Sequence, residues 1–79
     1  MARQKTQKVV IAFPTTTQAI MMEQFCREQG LAGRLIPVPR QISAGCGMAW
    51  SAPVECRLEL ELLIAAKEIE VEGLYELLL

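Results

Sequence analysis

The 79-residue chain contains no histidine and no aspartate. A Ser-His-Asp triad, a Cys-His dyad and a histidine-ligated zinc site are therefore excluded within one chain. Any chemistry has to come from cysteine, glutamate, lysine, arginine, tyrosine, the hydroxyls or the backbone. No apolar run approaches the roughly 20 residues that cross a bilayer. The basic start (Arg3, Lys5, Lys8) is not followed by a long apolar stretch with a cleavage site, so a cytoplasmic chain without membrane contact is expected. The three cysteines, Cys26, Cys46 and Cys56, form neither an even disulfide framework nor a CxxC pair. Free thiols in a reducing compartment fit that pattern, with no metal and no cofactor. A net charge of −1 supplies no general attraction to nucleic acid. Internal repeats, low-complexity segments and room for a second domain are also missing.

What is present suits one small core. A domain of this size buries only about 60% of its unfolded surface, so oligomerisation is a natural supplement. Residues 1–7 are polar and aperiodic and read as a flexible tail, which leaves a single domain over residues 8–79. Val9-Val10-Ile11-Ala12-Phe13 is a short apolar run rich in β-branched residues and closed by Pro14. It reads as a central strand covered on both faces.

Thr15-Thr16-Thr17-Gln18 has the spacing of a capping box. It opens a helix over residues 16–29, with Ala19, Met22, Phe25 and Cys26 on one stripe and Gly30 as its left-handed stop. Residues 35–38 can form a second strand, which Pro37 and Pro39 confine to a sheet edge. Residues 48–50 begin a third strand. Pro53 and Glu55 suit the first turn of a second helix.

Residues 55–67 are ambiguous. Leu58, Leu60, Leu62 and Ile64 alternate as in a strand, whereas Val54, Leu58, Leu62 and Ala65 make a helical stripe. The abundance of Glu, Leu, Ala, Arg and Lys favours helix. Residues 71–78 read as the last strand. The order β-α-β-β-α-β predicts an α+β fold, the ferredoxin-like split arrangement: a two-layer sandwich with antiparallel sheet order 4-1-3-2. The proline-bearing second strand is then an edge.

In that topology Cys46, just ahead of the third strand, lies at the end of the sheet where the first helix begins. The unpaired N–H groups and positive dipole end of that helix, at Thr15, Thr16 and Thr17, favour a thiolate or a bound anion. Arg40 on the same loop adds positive charge, and Gly45 and Gly47 flank the sulfur with little bulk. A nucleophilic sulfur with no general base suits carrying a sulfane sulfur or selenium better than hydrolysis. Cys46 as a small packed residue in a glycine turn is the plainer alternative. Arg34 and Arg40 are equally readable as solvated loop charges. Cys26 and Cys56 sit in helical patterns and read as packing residues, and the glutamates of the second half as a solvated face.

Phe13-Pro14-Thr15-Thr16, the segment Arg34-Leu35-Ile36-Pro37-Val38-Pro39-Arg40, the pair Cys46-Gly47 and Glu72-Gly73-Leu74-Tyr75 together resemble a small bacterial family of selenium/sulfur carrier-like proteins. The similarity spans about residues 8–76, and its most specific part is Ile-Pro-Val-Pro-Arg followed by Cys-Gly. The resemblance implies a role in moving sulfur or selenium with Cys46 as the carrier residue, and donor and acceptor proteins as partners. The chain lacks the Cys-Pro-x-Pro helix start of better-known sulfur-relay carriers.

Two readings follow. One is a non-enzymatic carrier holding a persulfide-type adduct on Cys46. The other is a binding or regulatory module that holds a small anion or a protein on the same loop, with Cys46 structural. An open sheet face behind residues 9–13 and the Leu77-Leu78-Leu79 end are apolar surfaces that point to a homodimer or a docking partner, through that face or through the C-terminal strand.

Overall fold

The computed structural model describes residues 6–42 and 47–79. The chain forms β1 (Gln7–Ala12), α1 (Thr16–Gln29), β2 (Arg34–Pro37), β3 (Met48–Pro53), a 3-10 turn (Val54–Cys56), α2 (Arg57–Lys67) and β4 (Gly73–Leu78). All the strand pairings are antiparallel. The sheet order is β2-β3-β1-β4, which reads 4-1-3-2 from the other edge. β2 is an edge strand that ends on Pro37 opposite Met48, so its prolines cost no inner-ladder hydrogen bond. Among the described residues no helix is long and apolar enough to cross a membrane.

α1 forms where its local signals put it. Thr15 is extended (φ −141°, ψ 158°), and its hydroxyl accepts from the Gln18 N–H at 3.4 Å. The second half of the capping box is used elsewhere: Gln18 Oε1 accepts from the Glu70 N–H at 3.0 Å, tying the start of α1 to the segment before β4. Gly30 ends the helix in the left-handed region, and the Leu31 N–H donates back to the Cys26 C=O at 2.9 Å.

The main core lies between the helices and one sheet face. Val9, Ile11 and Phe13 of the central strand meet Ala19, Met22 and Cys26 of α1, Trp50 and Ala52 of β3, and Leu60 and Leu63 of α2. Lys67 Nζ stands 5.1 Å from the Phe25 ring centroid and links the two helices across their ends. Arg57 at the start of α2 pairs with Glu61 and with Glu76 of β4.

The face that α2 buries differs from the expected stripe. Leu60 is fully buried and Leu63 nearly so, while Leu58 is 67% exposed and Leu62 is 62% exposed. Pro53 is still strand, and residues 54–56 wind as a 3-10 turn of about 3.0 residues per turn before α2 begins at Arg57. At about 3.6 residues per turn Leu60 and Leu63 lie on the opposite side of α2 from Leu58, Leu62 and Ala65, and the side that meets the core is the one bearing Leu60 and Leu63.

The second sheet face is covered from within the chain. Val10 and Ala12 have no exposed surface, and they pack with Ala49, Ile42, Ile36, Val38 and Leu77. Residues 9–13 are thus dry on both sides, as their composition predicts. The apolar surface left outside is instead Leu58 and Leu62 on α2, Ile20 on α1, and Tyr75, Leu78 and Leu79 at the end of the chain.

Candidate functional site

The connection between β2 and β3 leaves the sheet at Pro37 and returns at Met48. The Val38 N–H donates to the Gly47 C=O at 3.0 Å, which extends the pairing by one residue and closes a loop over residues 39–46. Inside that loop the Ile42 N–H donates to the Pro39 C=O at 3.0 Å. Pro39, Arg40, Gln41 and Ile42 therefore form a β-turn with Arg40 and Gln41 at its centre. The turn returns Ile42 to the helix-free face, where it is 7% exposed against Val10, Ala12 and Ala49. Arg40 is exposed at the tip.

Gly47 re-enters the sheet at φ +75°, and a Cβ placed there would meet nothing within 4 Å. Its backbone, not its surroundings, asks for glycine. Register puts Ala49 beside Ala12, so Gly47 and the segment from Pro14 to the start of α1 share one end of the sheet. Thr15, Thr16 and Thr17 are exposed there, and the first turn of α1 contains no acidic residue to offset the positive end of its dipole.

The structure brings Gly47 and Thr15 to Thr17 to the same end of the sheet. Arg40 belongs to the helix-free side and is not joined to the threonines by any hydrogen bond among the described residues. Gly45 and Cys46 lie outside the described residues. The other two thiols are accounted for. Cys26 is buried in the main core, and burial pushes its thiol from 9.0 up to about 11. Cys56 is half-buried against the same core. Cys26 lacks the accessible setting that makes a thiol reactive, whereas Cys56 stands half-buried at the start of α2 beside Arg57.

Sequence reasoning overlooked Ile42, the residue that fixes the loop to the sheet. The available signal was a single β-branched residue between Arg40 and Gly47 in an otherwise small and polar stretch.

A family model described as "Putative Se/S carrier protein-like" matches residues 8–76. No curated protein and no solved structure matches the chain.

Proposed function

The chain belongs to the Se/S carrier protein-like family, and from that premise we propose that it is a carrier domain, built on a ferredoxin-like sandwich, whose cargo is held on Cys46. The observation that carries the proposal is the family match across residues 8–76, which includes both flanks of the loop and Cys46 itself. Three further features support it. The chain has no histidine or aspartate for base catalysis. Cys26 is a poor nucleophile because burial keeps its thiol protonated up to about pH 11. The loop is anchored by the Val38 to Gly47 bond and by Ile42 at the sheet end where α1 starts.

The step required of such a carrier is a thiol exchange. The Cys46 thiolate attacks the outer sulfur of a donor protein's persulfide, an S–S bond forms to Cys46 as the donor's S–S bond breaks, and the donor leaves as its thiolate. Attack by an acceptor thiolate on the outer sulfur of Cys46 reverses the exchange. Electrons balance without an oxidant, and a selenium atom would pass by the same displacement. Thr15, Thr16 and Thr17 would stabilise the anionic sulfur through the helix start, Arg40 through its charge, and Gly45 and Gly47 by leaving room for the incoming group. Partners would dock on exposed apolar surface, Leu58 and Leu62 of α2 or Tyr75 and Leu78 of β4, and a second copy could pair along β4. The exchange needs reduced thiols and so a cytoplasmic setting.

The test is intact mass after incubation with a cysteine desulfurase and cysteine. The carrier reading expects one added sulfur on the wild type and none on Cys46→Ser. An unmodified wild type, or an equal adduct on Cys46→Ser, removes it. In that event an anion- or protein-binding module that uses the same loop is the reading left.

A further inference from the structure

A concavity of about 570 Å³ lies at the opposite end of β3 from Gly47. Its polar lining includes Lys8, Arg34 and Ser51, and its apolar lining includes Ile36 and Pro53. In the strand register Arg34 stands opposite Ser51 and Lys8 opposite Pro53. Alternation puts Lys8, Ser51 and Arg34 on the same sheet face as Val10, Ala49 and Ile36, the face away from the helices. β1 and β2 flank β3, so the two cations start about 10 Å apart across the sheet and about 7 Å apart along it. Extended lysine and arginine side chains reach across such a gap to a shared anion.

The charge arrangement runs against the chain as a whole. The net charge is −1, yet among the described residues no aspartate or glutamate lines the concavity, although the end of the chain at Leu79 does. Among the described residues neither Lys8 nor Arg34 makes an ion pair. Two cations that no carboxylate side chain pairs among the described residues, over low-dielectric walls, concentrate positive potential at this spot. The volume falls within the roughly 300–1,000 Å³ of small-molecule sites and is larger than a bare inorganic anion needs.

We propose that this concavity binds an organic carboxylate with a compact apolar body. The carboxylate is held between Lys8 and Arg34, with the Ser51 hydroxyl as a further donor, and the apolar body rests on Ile36 and Pro53. Because the site and Gly47 are at opposite ends of β3, the proposal stands or falls independently of the carrier reading.

The experiment is a two-dimensional NMR titration of the full chain with benzoate, with its neutral counterpart benzamide and with inorganic phosphate. Benzoate is expected to produce saturable shifts centred on Lys8, Arg34 and Ser51, and to weaken as salt is raised. Lys8→Gln and Arg34→Gln, at half-buried and exposed positions whose fold the same spectra check, should each weaken it about three- to tenfold. Cys46→Ser should leave it unchanged. Benzamide binding as well as benzoate would overturn the role of the two cations. Phosphate binding as well as benzoate would overturn the apolar body. Absence of saturable shifts at these residues would overturn the site itself.

Discussion

Gly33 lies so close to the indole of Trp50 that a Cβ added to it would stand 2.5 Å from Trp50 Nε1 and 2.8 Å from the Ser51 carbonyl oxygen. Its φ of +130° is also one that side chains rarely adopt. The Trp50 Nε1 beneath it is buried and has no hydrogen-bond partner. The turn from α1 to β2 is therefore closed directly onto the core, and Gly33→Ala should cost about 2 kcal/mol or more. Gly47→Ala, where φ is +75° but the space is empty, should cost only about 1 kcal/mol. Urea melts of the two variants check the order; equal losses would mean that conformation alone, without the indole contact, sets the cost.

Leu60 and Leu62 test which way α2 faces. Leu60→Ala empties a fully buried position and should cost about 2–4 kcal/mol. Leu62→Ala trims an exposed side chain and should stay within about 0.5 kcal/mol. The reverse order in denaturant melts would restore the stripe through Val54, Leu58 and Leu62.

α2 shows why part of this fold was legible and part was not. Its existence follows from composition, but leucines at 58, 60, 62 and 63 offer two apolar stripes. The choice between them depends on which side of α2 meets the sheet and α1, which local sequence does not encode. By contrast α1 carries a single stripe bounded by Thr15, Gln18 and Gly30, so its limits and buried face agree with the sequence reading.

β1 was legible as doubly covered, but what covers its second face was not. Ile42 lies some thirty residues on, and only the closed fold brings it to Val10 and Ala12. The candidate site has the same character. Its residue types can be read from the chain, whereas the placing of Gly47 and the start of α1 at one end of the sheet depends on strand register.

Cys26 gives a pH dependence with a defined sign. In the unfolded chain its thiol ionises near 9.0, while in the fold burial holds it neutral up to about 11. The folded state therefore keeps a proton that the unfolded state releases, and stability falls as pH rises from 9 to 11. The loss is bounded at about 2–3 kcal/mol. The quantity to measure is the gap between wild type and Cys26→Ala, which isolates this thiol. It should narrow across the window; a constant gap would show that the thiol is not shielded.

The same burial orders the thiols by reactivity. Iodoacetamide at neutral pH should modify the native protein at Cys46 first, with Cys26 reacting only as the protein unfolds. Peptide mass mapping over time reads this directly. Early labelling of Cys26, or a Cys46 slower than Cys56, would remove the basis for assigning the cargo to Cys46.

Glu68 closes α2 at φ 54°, the only non-glycine residue with positive φ among the described residues, and the Ile69 N–H beyond it donates to the Ile64 C=O at 3.1 Å. Glycine is the preferred residue at such a stop, so Glu68→Gly should raise stability by about 0.5–1 kcal/mol. A lower melting temperature for the variant would show that the glutamate side chain contributes more than its backbone strain costs.

The two edges of the sheet also limit how many copies can join. β2 ends on Pro37 with Pro39 just beyond, whereas β4 from Gly73 to Leu78 has neither proline nor lysine. An added strand is welcome beside β4 and obstructed beside β2. A head-to-tail array, β4 of one copy on β2 of the next, would run on as a filament, and the prolines oppose every joint in it. Were copies to join by strand addition, pairing of β4 with β4 about a two-fold axis would use both receptive edges at once and leave the blunted ones outside, so that growth would terminate at two.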